Sequence, residues 1–212
     1  MNLLPGAAAV STGVVAQQVG TPQTVSPQAP GYFSFWQEGN GNIKCTNNGG
    51  GKYTASWSGN GGFVCGTGWS PGGSRTVKYS GTYEPKGPGY LALYGWTRNP
   101  LIEYYIVDSH GDLAPGEPWT SLGNFTSEEG SYELFKSTRV NKPSIVGTTT
   151  FQQYWSVRTE KRVGGTITTG RHFSEWAKAG LKLGNHDYMI LATEGYRNGA
   201  NSASGTSSIV VE

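Results

Sequence analysis

The chain has 212 residues, a formal net charge of +2 and 14% charged residues, set against 33 glycines, 12 tyrosines and 7 tryptophans. Abundant Gly and aromatics with so little charge suit short strands and tight turns better than long surface helices, and the length fits one large all-β domain. No stretch gathers Lys and Arg into a basic stripe, which argues against a nucleic-acid or membrane partner. Two cysteines and three scattered histidines (His110, His172, His186) lack metal-ligand spacing, so no metal and no cofactor are expected.

Residues 1–30 differ in character from the remainder of the chain. LLPGAAAVSTGVVA is small and mildly apolar, and QQVGTPQTVSPQAP is polar and Pro-rich. This segment is expected to be a signal remnant or propeptide, or a disordered N-terminal segment, with Val14 and Ala16 suiting cleavage before Gln17, although no Lys or Arg precedes the apolar part. Nothing approaches the roughly 18 apolar residues of a membrane span. If the protein is secreted, Cys45 and Cys65 are available for one disulfide; sequence leaves open whether they lie within bonding reach. Asn124 heads a lone glycosylation sequon.

From Tyr32 onward, alternating segments recur between Gly, Asn and Pro clusters: YFSFWQ, GKYTASW, GFVCGTGW, RTVKYSGTY, GYLALYGW, LIEYYIVD, FQQYWSVR, DYMILATEGY and SSIVVE. Such spacing predicts a two-sheet sandwich over residues 31–212. In YLALYGW the two-residue period sends Tyr90, Ala92, Tyr94 and Trp96 one way and Leu91 and Leu93 the other. An aromatic face opposite an aliphatic one means either a second buried layer or a surface for stacking on sugar rings. One segment breaks the pattern: TTGRHFSEWAKAGLKLG sets Phe173, Trp176, Ala177 and Leu181 at helical spacing. It predicts a single amphipathic helix capped by Thr, ended by Gly184 and packed outside one sheet, with His172 and Trp176 structural.

Two strands carry an acid among aromatics. In LIEYYIVD, Glu103 shares a face with Tyr105 and Val107; in YMILATEGY, Glu194 shares one with Tyr188, Ile190, Ala192 and Tyr196. A single strand glutamate is ordinarily a solvated rim residue. Two matched cases, without metal or phosphate loops, suit glycosidic bond cleavage, in which one carboxyl protonates the departing oxygen and the other stabilises or attacks the anomeric carbon.

The segments YLALYGWTRNPLIEYYIVD, RVNKPSI, FQQYWSVR and ILATEGY, in this order and spacing, closely resemble the glycoside hydrolase family 11 endo-1,4-β-xylanases. The resemblance runs from about Gly31 to Val211. It implies a β-jelly roll of two twisted antiparallel sheets with one α-helix, a secreted monomer, and xylan or xylo-oligosaccharides lying in a groove. Carried over, it makes Glu103 the nucleophile and Glu194 the acid/base of a retaining double displacement, with carboxyls roughly 5 to 5.5 Å apart. Like charges so close cannot both ionise cheaply, so Glu194 is expected protonated and Glu103 ionised in the free enzyme.

The resemblance also implies that Tyr94 and Tyr105 hydrogen-bond the sugar and the nucleophile, that Tyr196 and Gln153 line neighbouring subsites, and that Trp36 is a stacking platform. RVNKPSIVG looks like the family's thumb loop, opened by Arg139 with Pro143, Ser144 and Ile145 at its tip; Trp96 and Trp155 are assigned to packing beneath the sugar. One departure stands out. Beside the acid/base the family commonly carries Asn or Asp, and this chain has Gly62; Asn60 is the expected partial substitute. Two other readings remain open at this point, a non-catalytic lectin-like sandwich and a jelly-roll endoglucanase.

Overall fold

The structure, a computed structural model, describes residues 28–113, 118–197 and 202–212. Most of the expectation for residues 1–30 therefore lies outside the described residues, but Gln28 already belongs to the packed chain, since Trp69 Nε1 donates to its carbonyl at 2.6 Å. Numbered in chain order, the larger sheet runs β1 (Tyr32–Glu38), β4 (Gly62–Trp69), β12 (Asn185–Gly195), β6 (Gly89–Arg98), β7 (Ile102–His110), β10 (Thr149–Arg158), β9 (Gly130–Lys142) and β8 (Thr120–Ser127). The smaller runs β11 (Gly165–Thr168), β5 (Thr76–Lys86), β13 (Ser204–Val211), β3 (Lys52–Gly59) and β2 (Gly41–Gly49). This is the two-sheet jelly roll expected, with one correction: β7 and β10 pair in parallel, Gln153 opposite Glu103, so the larger sheet is mixed.

The aliphatic face and the aromatic face have separate partners. Leu91, Leu93, Ile106, Met189 and Leu191 are fully buried against Tyr53, Trp57 and Ile209 of the smaller sheet. On the opposite face Tyr90, Tyr94, Trp96, Tyr105, Phe151 and Trp155 form a second buried cluster, packed on one another. Tyr105 lies flat on Trp155 with ring centroids 3.9 Å apart and planes 6° off parallel. Of the two alternatives that alternation left open, the rings form the buried layer, and that layer floors a groove.

The helix α1 (Thr169–Lys178) stops earlier than expected, at Ala179 and the left-handed Gly180, not at Gly184. Its Thr cap is also different. Thr168 makes no side-chain cap; its amide and hydroxyl instead donate to Glu129, a carboxylate from the β8–β9 turn that offsets the helix's positive end. The helix buries Trp176 and His172, the two residues expected to be structural, against the main core, where His172 meets Tyr132 edge-on at 4.7 Å. Desolvation there lowers the His172 pKa to about 3, so the ring is neutral.

Two cross-links hold the layers. Cys45 and Cys65 form a disulfide across a Cα separation of 6.6 Å, joining β2 of the smaller sheet to β4 of the larger. Asp108, 1% exposed, accepts hydrogen bonds from Tyr79 of β5 at 2.8 Å, Tyr132 of β9 at 2.9 Å and Arg162 Nε at 2.8 Å. Four strands missed by pattern reading, β2, β8, β9 and β11, are edge or near-edge strands with few fully buried positions, where apolar alternation has little to report.

Candidate active site

A groove of about 1170 Å³ opens over the aromatic floor. Both glutamates line it, together with every residue the sequence singled out: Trp36, Tyr94, Tyr105, Arg139, Pro143, Gln153 and Tyr196. They are brought together by strand order. β6 lies between β12 and β7, so the strand bearing Glu194 and the strand bearing Glu103 flank a shared neighbour, and alternation turns both acids to the same face.

Glu103, 7% exposed, is held by three donors. Tyr94 donates to Oε1 at 2.8 Å, Tyr105 to the same oxygen at 3.2 Å, and Gln153 Nε2 to Oε2 at 2.6 Å. The amide cannot turn over freely, because its oxygen accepts from Ser137 Oγ at 2.8 Å, which itself accepts from Trp155 Nε1 at 3.2 Å. Trp96 Nε1 likewise donates to Tyr94 at 2.6 Å and leaves the tyrosine proton for Glu103. Burial pushes the Glu103 pKa up, and Gln153, Tyr94, the Arg139 charge and Tyr105 each pull it back. Trp96 and Trp155 thus do more than pack: each fixes the direction of a proton.

Glu194 has a different environment. Its Oε2 is buried without a hydrogen-bond partner, though the residue keeps some surface open along the groove. Desolvation, followed by the charge of Glu103, raises its pKa to about 8; Tyr105 and Arg139 act weakly the other way. Tyr105 has one proton, and the geometry gives it to Glu103. The two acids therefore differ in proton affinity for a structural reason: one is surrounded by donors, and the other is desolvated beside a negative neighbour.

Alternation alone could have found two further groove residues that went unnamed as site residues. Tyr90 shares its face with Tyr94, and its hydroxyl meets that of Tyr196 at 2.7 Å; Tyr188 shares its face with Glu194 and contacts Tyr94. Trp36, at 43% exposure, presents its ring at the edge strand, and Pro143, Ser144 and Ile145 overhang from the β9–β10 hairpin. The bare face of Gly62 is not filled by Asn60. Glu38, its partner on β1, leans over it, with Cγ 3.6 Å and Oε1 3.7 Å from where a Cβ would stand. Among the described residues no group of three or more His, Cys, Asp or Glu side chains is arranged to hold a metal ion, and no helix is long and apolar enough to cross a membrane.

Two acids of unequal proton affinity over an aromatic groove define the class of protein that cleaves glycosidic bonds. Known proteins point the same way. The model of the family Glycosyl hydrolases family 11 matches residues 28–207, and the chain belongs to that family. It is 50% identical over 192 residues to ethylene-inducing xylanase 1 of Botryotinia fuckeliana, covering 91% of this chain and 66% of that protein. It is 47% identical over 206 residues to endo-1,4-β-xylanase 11B of Humicola insolens, covering 92% and 71%. A solved endo-1,4-β-xylanase structure from Trichoderma reesei superposes with a TM-score of 0.80 at 36% identity, covering 87% of this chain and 99% of that one.

Proposed function

We propose that the protein is a secreted, monomeric endo-1,4-β-xylanase that hydrolyses xylan and xylo-oligosaccharides by a retaining double displacement. The observation that carries this reading is the pair Glu103 and Glu194 on one groove floor, the first held by three hydrogen-bond donors and the second with its pKa raised to about 8.

In the first step a Glu103 oxygen attacks the anomeric carbon while Glu194 gives its proton to the departing glycosidic oxygen, leaving a glycosyl ester on Glu103. Ester formation removes the charge of Glu103, one of the two causes that hold the Glu194 pKa up. Glu194, now a carboxylate of lower proton affinity, takes a proton from water, and the hydroxide attacks the same carbon to release Glu103. Trp36 stacks a sugar toward one end, Tyr94, Tyr105 and Tyr196 present hydroxyls, and Arg139 and Pro143 meet the chain from the overhanging hairpin.

The test is to trap the ester with a 2-fluoro-xylobioside bearing a good leaving group and locate it by mass spectrometry. An adduct on Glu103, with loss of reducing-sugar release from xylan in Glu103→Gln and Glu194→Gln, supports the reading; unmodified Glu103 in an inactivated enzyme sinks it. Faster hydrolysis of soluble cellulose than of xylan would favour an endoglucanase, and retained xylan binding with no turnover in the wild type a lectin.

A further inference from the structure

The β9–β10 hairpin contains an irregularity that aims a second cation into the groove. Arg139 pairs with Phe151, and the next pair is Lys142 with Thr149: three steps along β9 against two along β10. In an unbroken strand, residues three apart face opposite ways. The extra residue is Asn141, in the left-handed region at φ 51°, whose amide goes to the Thr150 hydroxyl instead of a ladder carbonyl. A left-handed non-glycine residue costs about 1 kcal/mol, and bulges near active sites characteristically re-aim a side chain. The result is that Lys142 and Arg139 both line the groove, while Val140 between them faces out at 57% exposure.

The two cations are not equivalent. Arg139 acts on both Glu103 and Glu194. The side chain of Lys142, a half-buried residue, forms no hydrogen bond or ion pair among the described residues. Of the four acids that share the groove, Asp187 pairs with Arg98 at 2.5 Å, Glu103 is held by its three donors, Glu38 stands on β1 over Gly62, and Glu194 stands on β12; none forms an ion pair with Lys142. An ammonium in the lining of a polysaccharide groove without an internal counter-ion suits an anionic group carried by the ligand.

We propose that Lys142 is a specificity residue that binds the carboxylate of a uronic-acid branch on the xylan backbone, so that the enzyme prefers acidic over neutral branches where a branch reaches the hairpin. This rests on xylan being the substrate. A solvent-accessible ion pair of this kind corresponds to about a two- to fivefold preference.

The experiment compares kcat/KM on uronic-acid-branched xylan with that on the same polymer after its carboxyl groups are reduced to alcohols. Backbone and branch pattern are then identical, and the ratio of the two values is independent of how much enzyme is folded. The expected ratio is about two- to fivefold in the wild type. It should be retained in Lys142→Arg, fall to one in Lys142→Gln and in about 1 M salt, and drop below one in Lys142→Glu. A wild-type ratio of one, or the same ratio in Lys142→Gln as in the wild type, overturns the assignment. Linear neutral xylohexaose is the control that separates the two claims: if the wild type leaves it intact, the xylanase reading itself has failed.

Discussion

Gln153 donates its amide to Glu103 at 2.6 Å from the strand that runs parallel to the glutamate's own. Parallel pairing sets the two residues directly side by side, and Ser137 fixes which end of the amide faces the acid. Gln153→Ala removes a hydrogen bond to a charged group, and kcat/KM should fall by roughly 10- to 100-fold. The bond favours the ionised form, so its loss raises the Glu103 pKa and moves the acidic limb of the pH–rate profile to higher pH. An unchanged acidic limb would contradict the role given to the amide. Ser137→Ala should show the same displacement in weaker form.

Glu194 gives a prediction for the alkaline side. With Glu194 as the proposed general acid, its pKa of about 8 places the alkaline limb of kcat/KM near that pH. Glu103→Gln removes the charge that helps to hold the proton, so a carboxyl-carbon NMR titration of this variant should find Glu194 losing its proton at lower pH than in the wild type.

The same shift bears on stability. A carboxyl whose folded pKa lies above its unfolded value stabilises the fold fully below the unfolded pKa, and that contribution is lost as pH rises through the folded one. For Glu194 the window runs from about 4.5 to about 8. Glu194→Gln should therefore melt close to the wild type at pH 4 and about 10 °C or more above it at pH 9. Equal melting temperatures at pH 9 would argue against a destabilised carboxylate.

The disulfide between Cys45 and Cys65 closes a loop of 20 residues. Chain entropy alone assigns it about 3 kcal/mol, so Cys45→Ala with Cys65→Ala should lower the melting temperature by about 6–12 °C. Calorimetry with and without a phosphine reductant checks this, and the double variant should be insensitive to the reductant.

Asp108→Ala leaves Arg162 without its buried counter-ion and two tyrosine hydroxyls without an acceptor. Removing one side of a buried pair costs about 3–5 kcal/mol, against about 1 kcal/mol for Tyr79→Phe. Urea denaturation followed by tryptophan fluorescence should reproduce that order.

Alternation made much of the floor legible: it put Tyr90, Tyr94 and Trp96 on one face, Glu103 with Tyr105, and Glu194 with Tyr188 and Tyr196, as found. A two-residue period says nothing about which strands become neighbours. The parallel β7–β10 pairing that sets Gln153 against Glu103, and the disulfide between sheets, depend on contacts distant in sequence. Periodicity also fails where it is interrupted. The bulge at Asn141 reverses the facing of Lys142, and Glu38 occupies the space beside Gly62 through cross-strand packing that no local pattern encodes. Thr168 suits a helix cap by residue type, yet the turn at Glu129 captures it first.

The break in the ladder at Asn141 also divides the hairpin into two parts. Below it, Arg139 and Phe151 are paired, and the Ser137–Gln153 bond lies deeper still in the sheet. Above it, only Lys142 and Thr149 continue the pairing before Pro143. The tip is thus tied to the sheet by a lone pair beyond the bulge, whereas the amide that holds Glu103 is anchored in regular ladder beneath it. A substitution at the tip therefore reaches the acid only across an interrupted step, and the two ends of the hairpin can vary in sequence independently.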